Sequence, residues 1–470
     1  VTEPVELEAR HRSSSLWLDG IAGPLTPRPP LAGDRDCDVA IVGAGFTGLW
    51  CAYYLATRSP GMRIVVVERE IAGHGPSGRN GGWAVAGLSG VPAAYGCKPG
   101  DERIARAVRA TREAVDEIGA IAAREGIDCG YLKSGALTVA TSSPQWRRLR
   151  AGAPDDLALD AGGGAPDDQL LSAAEVDAFV AGVPGLRGGR FTPHAARVNP
   201  AALARGLAAA CERHSVTLHE GTEATAIEAG AVRTASGTLR AEVVIRATES
   251  YTTQLPGQRR RYLPLYSLMI ATAPLPPQAW SALRWREGLL IDDCHHLFFY
   301  AQRTTDGRIA IGGRGAPYRL RHPIDPANER NAGVRARLIA TMAATFPAAA
   351  GAEVTHHWGG PLAAPRDWSM AITFDRRTGL GAAGGYTGHG VAASNISGAT
   401  LADLVLGRDS DLVTLPWVAH RGRRWEPEPL RFLASRAIVA TLGSADRAED
   451  ATDRPARRVA LLRPFLPPTH

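Results

Sequence analysis

The chain has 470 residues, with 53 Lys+Arg against 47 Asp+Glu and a net charge of +6, length enough for roughly two or three domains around large cores. Only two of its cations are lysine, Lys98 and Lys133. Neither stands in a G-x-x-x-x-G-K-[ST] frame, which excludes a Walker-type phosphate loop, and both sit in turn-like contexts, which argues against Schiff-base chemistry. The basic surplus is mild, and its two short clusters, Arg259-Arg260-Arg261 and Arg421-Gly422-Arg423-Arg424, read as solvated surface rather than a nucleic-acid footprint.

Residues 1–33 mix acids, an early Arg-His-Arg and prolines, without the apolar stretch of a signal peptide or membrane span, so no membrane partner is expected. Residues 38–43 form a β-branched apolar run of the kind found in buried parallel strands. The run enters Gly43-Ala44-Gly45-Phe46-Thr47-Gly48 and continues as a helix over 49–56. After the breaker Ser59-Pro60-Gly61, residues 63–68 form a second strand that ends on Glu68, twenty residues past Gly48. Strand, glycine turn, helix, strand and acid together make the complete βαβ dinucleotide fingerprint. Gly43 permits the tight turn, Gly45 lets backbone approach a pyrophosphate, Gly48 brings helix against strand, and the helix N-terminus attracts the anion. Glu68 can accept hydrogen bonds from ribose hydroxyls.

Residues 111–125 carry apolar side chains at helical spacing, and 131–140 alternate as a strand does. Ala153-Pro154-Asp155-Asp156 recurs as Ala165-Pro166-Asp167-Asp168 around a glycine tract, the pattern of a flexible acidic surface loop. A helix over 200–212 and strands over 216–220 and 241–247 return so late that the nucleotide domain must be discontinuous. Stretches 265–272, 297–301 and 308–312 read as strands of an antiparallel sheet in a second domain. Gly384–Gly390 is another glycine-rich turn, opening a helix over 391–406, and past Gly407 an Arg-, Trp- and Pro-rich extension is expected to pack on the outside. The six cysteines, at 37, 51, 97, 129, 211 and 294, show no C-x-x-C, so reduced thiols in a cytoplasmic protein are expected, with neither a zinc cluster nor a disulfide framework. The adjacent pairs His295-His296 and His356-His357 would diverge on strands, which disfavours a metal site.

The Gly43–Gly48 fingerprint with Glu68, followed by Gly75-Pro76-Ser77-Gly78-Arg79-Asn80-Gly81-Gly82 and closed by Gly384–Gly390, resembles the D-amino-acid-oxidase-like flavoproteins. Within them it is most similar to the amine-oxidising branch typified by gamma-glutamylputrescine oxidase, and the likeness runs from about residue 17 to about 407. It implies an α/β chain, α+β overall. A Rossmann-like FAD-binding domain (1–90, 195–262 and 352–410) would carry a discontinuous second domain on a mainly antiparallel sheet (91–194 and 263–351), with 411–470 as the extension. FAD contacts are then expected at Gly43, Ala44, Gly45, Phe46, Thr47, Gly48, Glu68 and Arg69, along Ser77, Gly78, Arg79, Asn80, Gly81 and Gly82, at Ala224 and Thr248, and at Gly388, His389, Gly390 and Val391. Arg79 would lie near the flavin ring or merely cap carbonyls, and Asn80 would be a contact or a turn residue. His389 would assist the flavin or hold its turn.

Catalytic positions are expected at Arg79, Tyr300, Arg314 and His389, and the substrate pocket around 262–269, 298–300, Arg314 and Trp358, whose aromatics would pack a hydrophobic amine or fill core. Arg314 would read an acidic group or stay solvated. The implied reaction is hydride transfer from the carbon beside an amine nitrogen to flavin N5, giving an imine and then a carbonyl, with oxygen or another acceptor taking the electrons. The departures from the family matter as much. The lysine that sarcosine oxidases use for oxygen aligns with Ala310, the lysine that binds substrate carboxylate aligns with Ala392, and the cysteine that tethers flavin has no counterpart near residues 358–364. Non-covalent FAD, a substrate other than a sarcosine-like amino acid, and a possible dehydrogenase or biosynthetic tailoring enzyme follow from these departures. A protein that binds NAD or a dinucleotide without catalysis would need only the first motif.

Overall fold

A computed structural model describes residues 4–157, 167–313, 315, 318–320 and 324–465. Of the acidic repeat expected as a flexible loop, residues 153–156 instead end the helix Ser143–Leu157, while residues 158–166, and Arg314, lie outside the described residues. The apolar run Arg35–Val42 is the centre of an eight-stranded sheet because both its edges find parallel partners, Ile64–Val67 on one side and Thr238–Arg246 on the other. Thr217–His219 extends the sheet beyond Ile64–Val67. The outer edge of Thr238–Arg246 is divided. Its first residues pair antiparallel with Ala231–Thr234, while Val244–Arg246 pair parallel with Leu380–Gly384, which Ala371–Asp375 follows antiparallel.

Two helices pack together on this sheet. In Phe46–Arg58 every residue from Phe46 to Ala56 is buried, the mark of a helix enclosed on all sides. Gly390–Leu406 is buried from Val391 to Asp403. They meet at Gly398, where an added Cβ would stand 2.4 Å from the Trp50 Cβ and 2.7 Å from the Cys51 nitrogen. The contact is extended by hydrogen bonds from Asn395 Nδ2 to the Tyr54 hydroxyl (2.9 Å) and between Thr47 Oγ1 and the Tyr386 hydroxyl (2.7 Å).

The second sheet runs Val354–Ala364, Leu263–Thr272, Ile309–Gly313, Phe299–Arg303, Leu290–Asp293, Ala136–Ala140, Gly188–Thr192 and Gln169–Ser172, antiparallel except between Leu290–Asp293 and Ala136–Ala140. Its period-2 alternation sends Leu268, Ile270, Phe299, Ala301 and Ile311 to a core shared with Val334, Leu338 and Met342 of the helix Ala332–Thr345. Alternate residues such as Ser267 and Tyr300 face the first domain. The strand expected over 297–301 begins at Phe299, and His295 to Phe298 form a turn instead of a strand. The cause is Asp446, whose carboxylate accepts the N–H groups of His296 and Leu297 at 2.9 and 3.0 Å, so those donors leave the ladder. His295 and His296 therefore both turn toward the C-terminal extension, which contains a 23-residue helix, Leu430–Thr452. His356 and His357 do diverge, to Asp19 and to the Met269 carbonyl. Among the described residues no helix is long and apolar enough to cross a membrane.

Gly398→Val forces the two central helices apart. A loss of about 1–3 kcal/mol in urea unfolding is expected, the usual cost of overpacking a core.

Candidate active site

Between the two domains lies a cavity of about 1760 Å³, larger than the ~300–1,000 Å³ of an ordinary ligand pocket. One end is the dinucleotide fingerprint. Gly43, at φ +106°, holds a left-handed turn, and its missing Cβ leaves room for the Ala247 carbonyl, which a methyl would meet at 2.6 Å. At Gly48 a Cβ would stand 2.0 Å from the Gly43 carbonyl oxygen. The helix Phe46–Arg58 begins at Gly45 without a side-chain cap, and its Phe46 N–H donates to Ser77 Oγ at 2.9 Å. Gly43, Gly45, Phe46 and Thr47 line the cavity, which therefore meets the positive end of that helix. The half-buried Glu68 carboxylate accepts the Ala44 and Glu70 N–H groups at 2.9 and 3.0 Å, and desolvation pushes its pKa up. Arg69 lies over the Tyr251 ring at 4.8 Å, and Ala224 and Thr248 complete this end.

The loop 75–82 runs along the cavity wall. Asn80 ties it: Nδ2 donates to the Pro76 and Ser77 carbonyls at 3.1 and 2.8 Å, and Oδ1 accepts the Gly82 N–H at 2.8 Å. Asn80 is thus a turn residue as well as a lining one. Ser77, Arg79, Asn80 and Gly81 line the cavity, while Ala44, Gly48, Gly78 and Gly82 stand behind the lining. A Cβ at Gly78 would meet the Gly73 carbonyl oxygen at 2.2 Å, and one at Gly82 would meet Gln302 Nε2 at 2.1 Å. Arg79 is 3% exposed. Its guanidinium reaches His74 Nε2 at 2.7 Å, ion-pairs with Glu329 at 2.5 Å and points toward the Gly359 carbonyl at 3.4 Å. Burial and the Arg79 charge hold His74 well below the usual imidazole range, so its ring is neutral and accepts from Arg79.

Opposite, Gly388, His389, Gly390, Val391 and Ser394 line the cavity at the uncapped start of the helix Gly390–Leu406. His389 is its N-cap residue, and its ring presses on Gly87, where a Cβ would sit 2.9 Å from Nε2. Glu249 pins the preceding turn by accepting the Gly385 N–H at 3.0 Å, and burial raises its pKa to about 7. The sheet wall is formed by Leu265, Ser267, Asp292, Phe298 and Tyr300. The Tyr300 hydroxyl is 2.8 Å from Ser267 Oγ, and its ring packs on Gly81, Gly312 and Trp83. Asp292 is raised to about 7 by burial, and its Oδ1 has no hydrogen-bond partner among the described residues.

Trp358, Met269 and Tyr262, expected in the pocket, do not line it. Trp17, from the N-terminal segment, packs edge-on against Trp358 at 6.2 Å and closes Trp358, Met269 and Ala310 into a separate core cluster. Ala392 is likewise buried behind the lining. Sequence reading missed Gln302, whose Nε2 donates to the Gly81 carbonyl, and Glu329, Glu249 and Asp292. It also missed the His296–Asp446–Glu449 cluster, whose ligand-type atoms lie within 4.8 Å of one another. The acids there already hold partners: Glu449 ion-pairs with Arg148 at 2.7 Å, and Asp446 takes the two backbone donors described above.

Residues 38–404 match the family model described as FAD dependent oxidoreductase. The chain belongs to that family. It is 28% identical over 396 residues to the probable oxidoreductase OrdL of Haemophilus influenzae, covering 82% of this chain and 86% of the relative. It is also 28% identical over 411 residues to gamma-glutamylputrescine oxidoreductase of Escherichia coli, covering 84% and 89%. Its fold is shared with glycine oxidase from Geobacillus kaustophilus (TM-score 0.66, 22% identity, 83% of this chain and 100% of that one). L-amino acid deaminase from Proteus vulgaris is similar too (TM-score 0.66, 19% identity, 84% and 100%).

The residues fit FAD, the family's cofactor: the N-termini of two helices open on one cavity, and glycine at 43 and 45 leaves backbone bare where a pyrophosphate would approach.

Gly45→Val places a side chain in that approach, and a Cβ there already stands 2.9 Å from Ser77 Oγ. The purified variant is expected to fold but to lose FAD affinity by about tenfold or more, read from visible absorbance against far-UV circular dichroism. Asp292 stays protonated in the fold up to about pH 7, while in the unfolded chain it ionises near its ordinary value of 3.8. Its contribution to stability is present in acid and lost as pH rises toward 7. Relative to the wild type, Asp292→Asn should therefore gain up to about 1.4 kcal/mol per pH unit across that window in urea titrations.

Proposed function

We propose that this FAD-dependent oxidoreductase oxidises the C–N bond of an amine, giving an imine that hydrolyses to a carbonyl, with oxygen as the electron acceptor. What FAD supplies when bound is a hydride acceptor. The observation that carries the reading is the convergence of the two helix N-termini on a cavity whose other wall is the polar and aromatic face of the second sheet. The positive end at Phe46 suits the pyrophosphate, and the one at Gly390 suits the negative charge that arrives with the hydride.

The remaining work belongs to positioning, since removing a hydride from carbon beside a neutral nitrogen requires chiefly that the reacting atoms be aligned. Ser267 and the Tyr300 hydroxyl offer a polar edge to orient the amine. Trp83, Leu88 and Phe298 exclude water from the reacting bond. Arg79, held by Glu329 and a neutral His74, keeps a fixed positive charge beside the loop that flanks the cofactor. The amine class is supported by the relationship to gamma-glutamylputrescine oxidoreductase. All six cysteines are buried and unbonded, in keeping with a cytoplasmic setting.

A second reading, a dehydrogenase that passes electrons to another acceptor, is favoured by one observation. Ala310 lies fully buried among Met269 and Trp358, so no ammonium stands where sarcosine oxidases place their oxygen-activating lysine.

Anaerobic mixing of the yellow holoenzyme with a panel of primary and secondary amines should bleach its visible band. A panel that leaves the band intact overturns the amine assignment. Turnover should proceed at a comparable rate with oxygen and with an artificial dye; a dye rate at least about a hundredfold higher would assign the protein to the dehydrogenases.

A further inference from the structure

The helix Leu430–Thr452 lies beyond the stretch that matches the family model, residues 38–404, yet it supplies part of the cavity wall. Leu430, Ala434, Ser435, Ile438, Val439 and Leu442 all line the cavity. Their spacing of four, with Val439 beside Ile438, puts them on one stripe of the helix. The turn that carries Leu297 and Phe298 lines the same cavity, and it lies against this helix, since a Cβ added at Gly443 would touch Leu297 Cδ1 at 3.4 Å.

The helix is anchored by polar contacts at both ends, with Leu442 of the stripe also buried. At its start the buried Arg431 ion-pairs with Glu428 at 2.7 Å and donates to the Arg259 and Tyr262 carbonyls at 3.2 and 3.4 Å, while the Tyr318 hydroxyl donates to Glu428. Toward its end, Asp446 takes the His296 and Leu297 N–H groups, Glu449 pairs with Arg148, and Asp450 meets His295 at 2.9 Å. Asp453 then receives the Ser143 hydroxyl at 2.6 Å. Between these anchors Ile438 and Val439 are half-buried and Leu442 is buried at the cavity, while Leu430 and Ala434 at the helix start are exposed. An apolar stripe facing open space, inside a frame of polar contacts, is built to be covered by something apolar.

We propose that this helix is the specificity wall of the substrate cavity: its stripe packs the carbon skeleton of the amine and favours substrates with a long apolar body over short polar amino acids. The inference rests on the amine-oxidation reading for the identity of the ligand's reacting end. The wall itself needs only apolar complementarity. Each substrate methylene buried against it tightens binding about fourfold, the equivalent of ~0.8 kcal/mol, until the space beside Ile438 is filled.

The test is calorimetric binding of straight-chain primary amines, from propylamine to decylamine, to the holoenzyme, which does not depend on turnover. Dissociation constants should fall about fourfold per methylene over several members of the series. Ile438→Ala should reduce the ratio of propylamine to decylamine dissociation constants about tenfold by removing wall contacts. Ile438→Trp should reduce it by a similar factor by filling the space, and FAD content reports the integrity of each variant. An affinity independent of chain length, no binding by any member, or Ile438 variants with the wild-type ratio would each overturn the proposal. Amines that bind with the expected length dependence yet never bleach the flavin would uphold the wall and remove the oxidation reading instead.

Discussion

The helices Phe46–Arg58 and Gly390–Leu406 touch backbone to backbone at Gly398, and every other part of the site is arranged around that approach. Two helices with ordinary side chains at their crossing sit about 8–10 Å apart. The glycine lets the second sink onto Trp50 and Cys51, and the hydrogen bond between Thr47 and Tyr386 then ties the two first turns together. The consequence is electrostatic. Both helices start at glycine-rich turns whose N-cap residues supply no side-chain cap, so their positive ends meet the same cavity. The first turn of one is fixed by the parallel strands on either side of it. The first turn of the other depends on Glu249, whose buried carboxyl spends its hydrogen-bonding capacity on the backbone of that turn.

Much of this was legible in the sequence because the residues that build it act locally. Gly43, Gly45 and Gly48 each answer a steric demand made within a few residues, and the β-branched run before them admits few alternatives to a buried strand. The face of the second sheet was harder. Met269 and Ser267 lie two apart on one strand and so share a face, yet one is sealed into core and the other opens on the cavity. What separates them is Trp17, some 250 positions away in the chain, and nothing in the strand announces it. The turn at His295 to Phe298 has the same origin: an alternating apolar sequence reads as strand until a carboxylate from Asp446 claims its N–H groups. Arg79 was visible as a charged residue in a glycine-rich loop, whereas its partner Glu329 comes from the other domain and has no local signature.

That ion pair joins the domains as well as placing a charge. A guanidinium almost wholly out of water is tolerable only when it is paired, and Arg79 is paired by His74 from the first domain and by the Gly359 carbonyl and the Glu329 carboxylate from the second-sheet side. The burial that keeps His74 neutral is part of the same arrangement, since a second positive charge would repel Arg79. Displacement of one domain relative to the other would therefore break this ion pair.

The loop 75–82 has few internal hydrogen bonds beyond those of Asn80 and is held from outside. Ser15 Oγ and Trp17 Nε1 bond the Gly78 and Asn80 carbonyls from 63 residues upstream, Gln302 bonds Gly81 from 221 residues downstream, and Trp358 bonds Arg79 from 279. Contacts across such separations form late, because the entropy of closing long loops must be met before they contribute. The loop 75–82 is thus braced only once residues as far along the chain as Trp358 are in place.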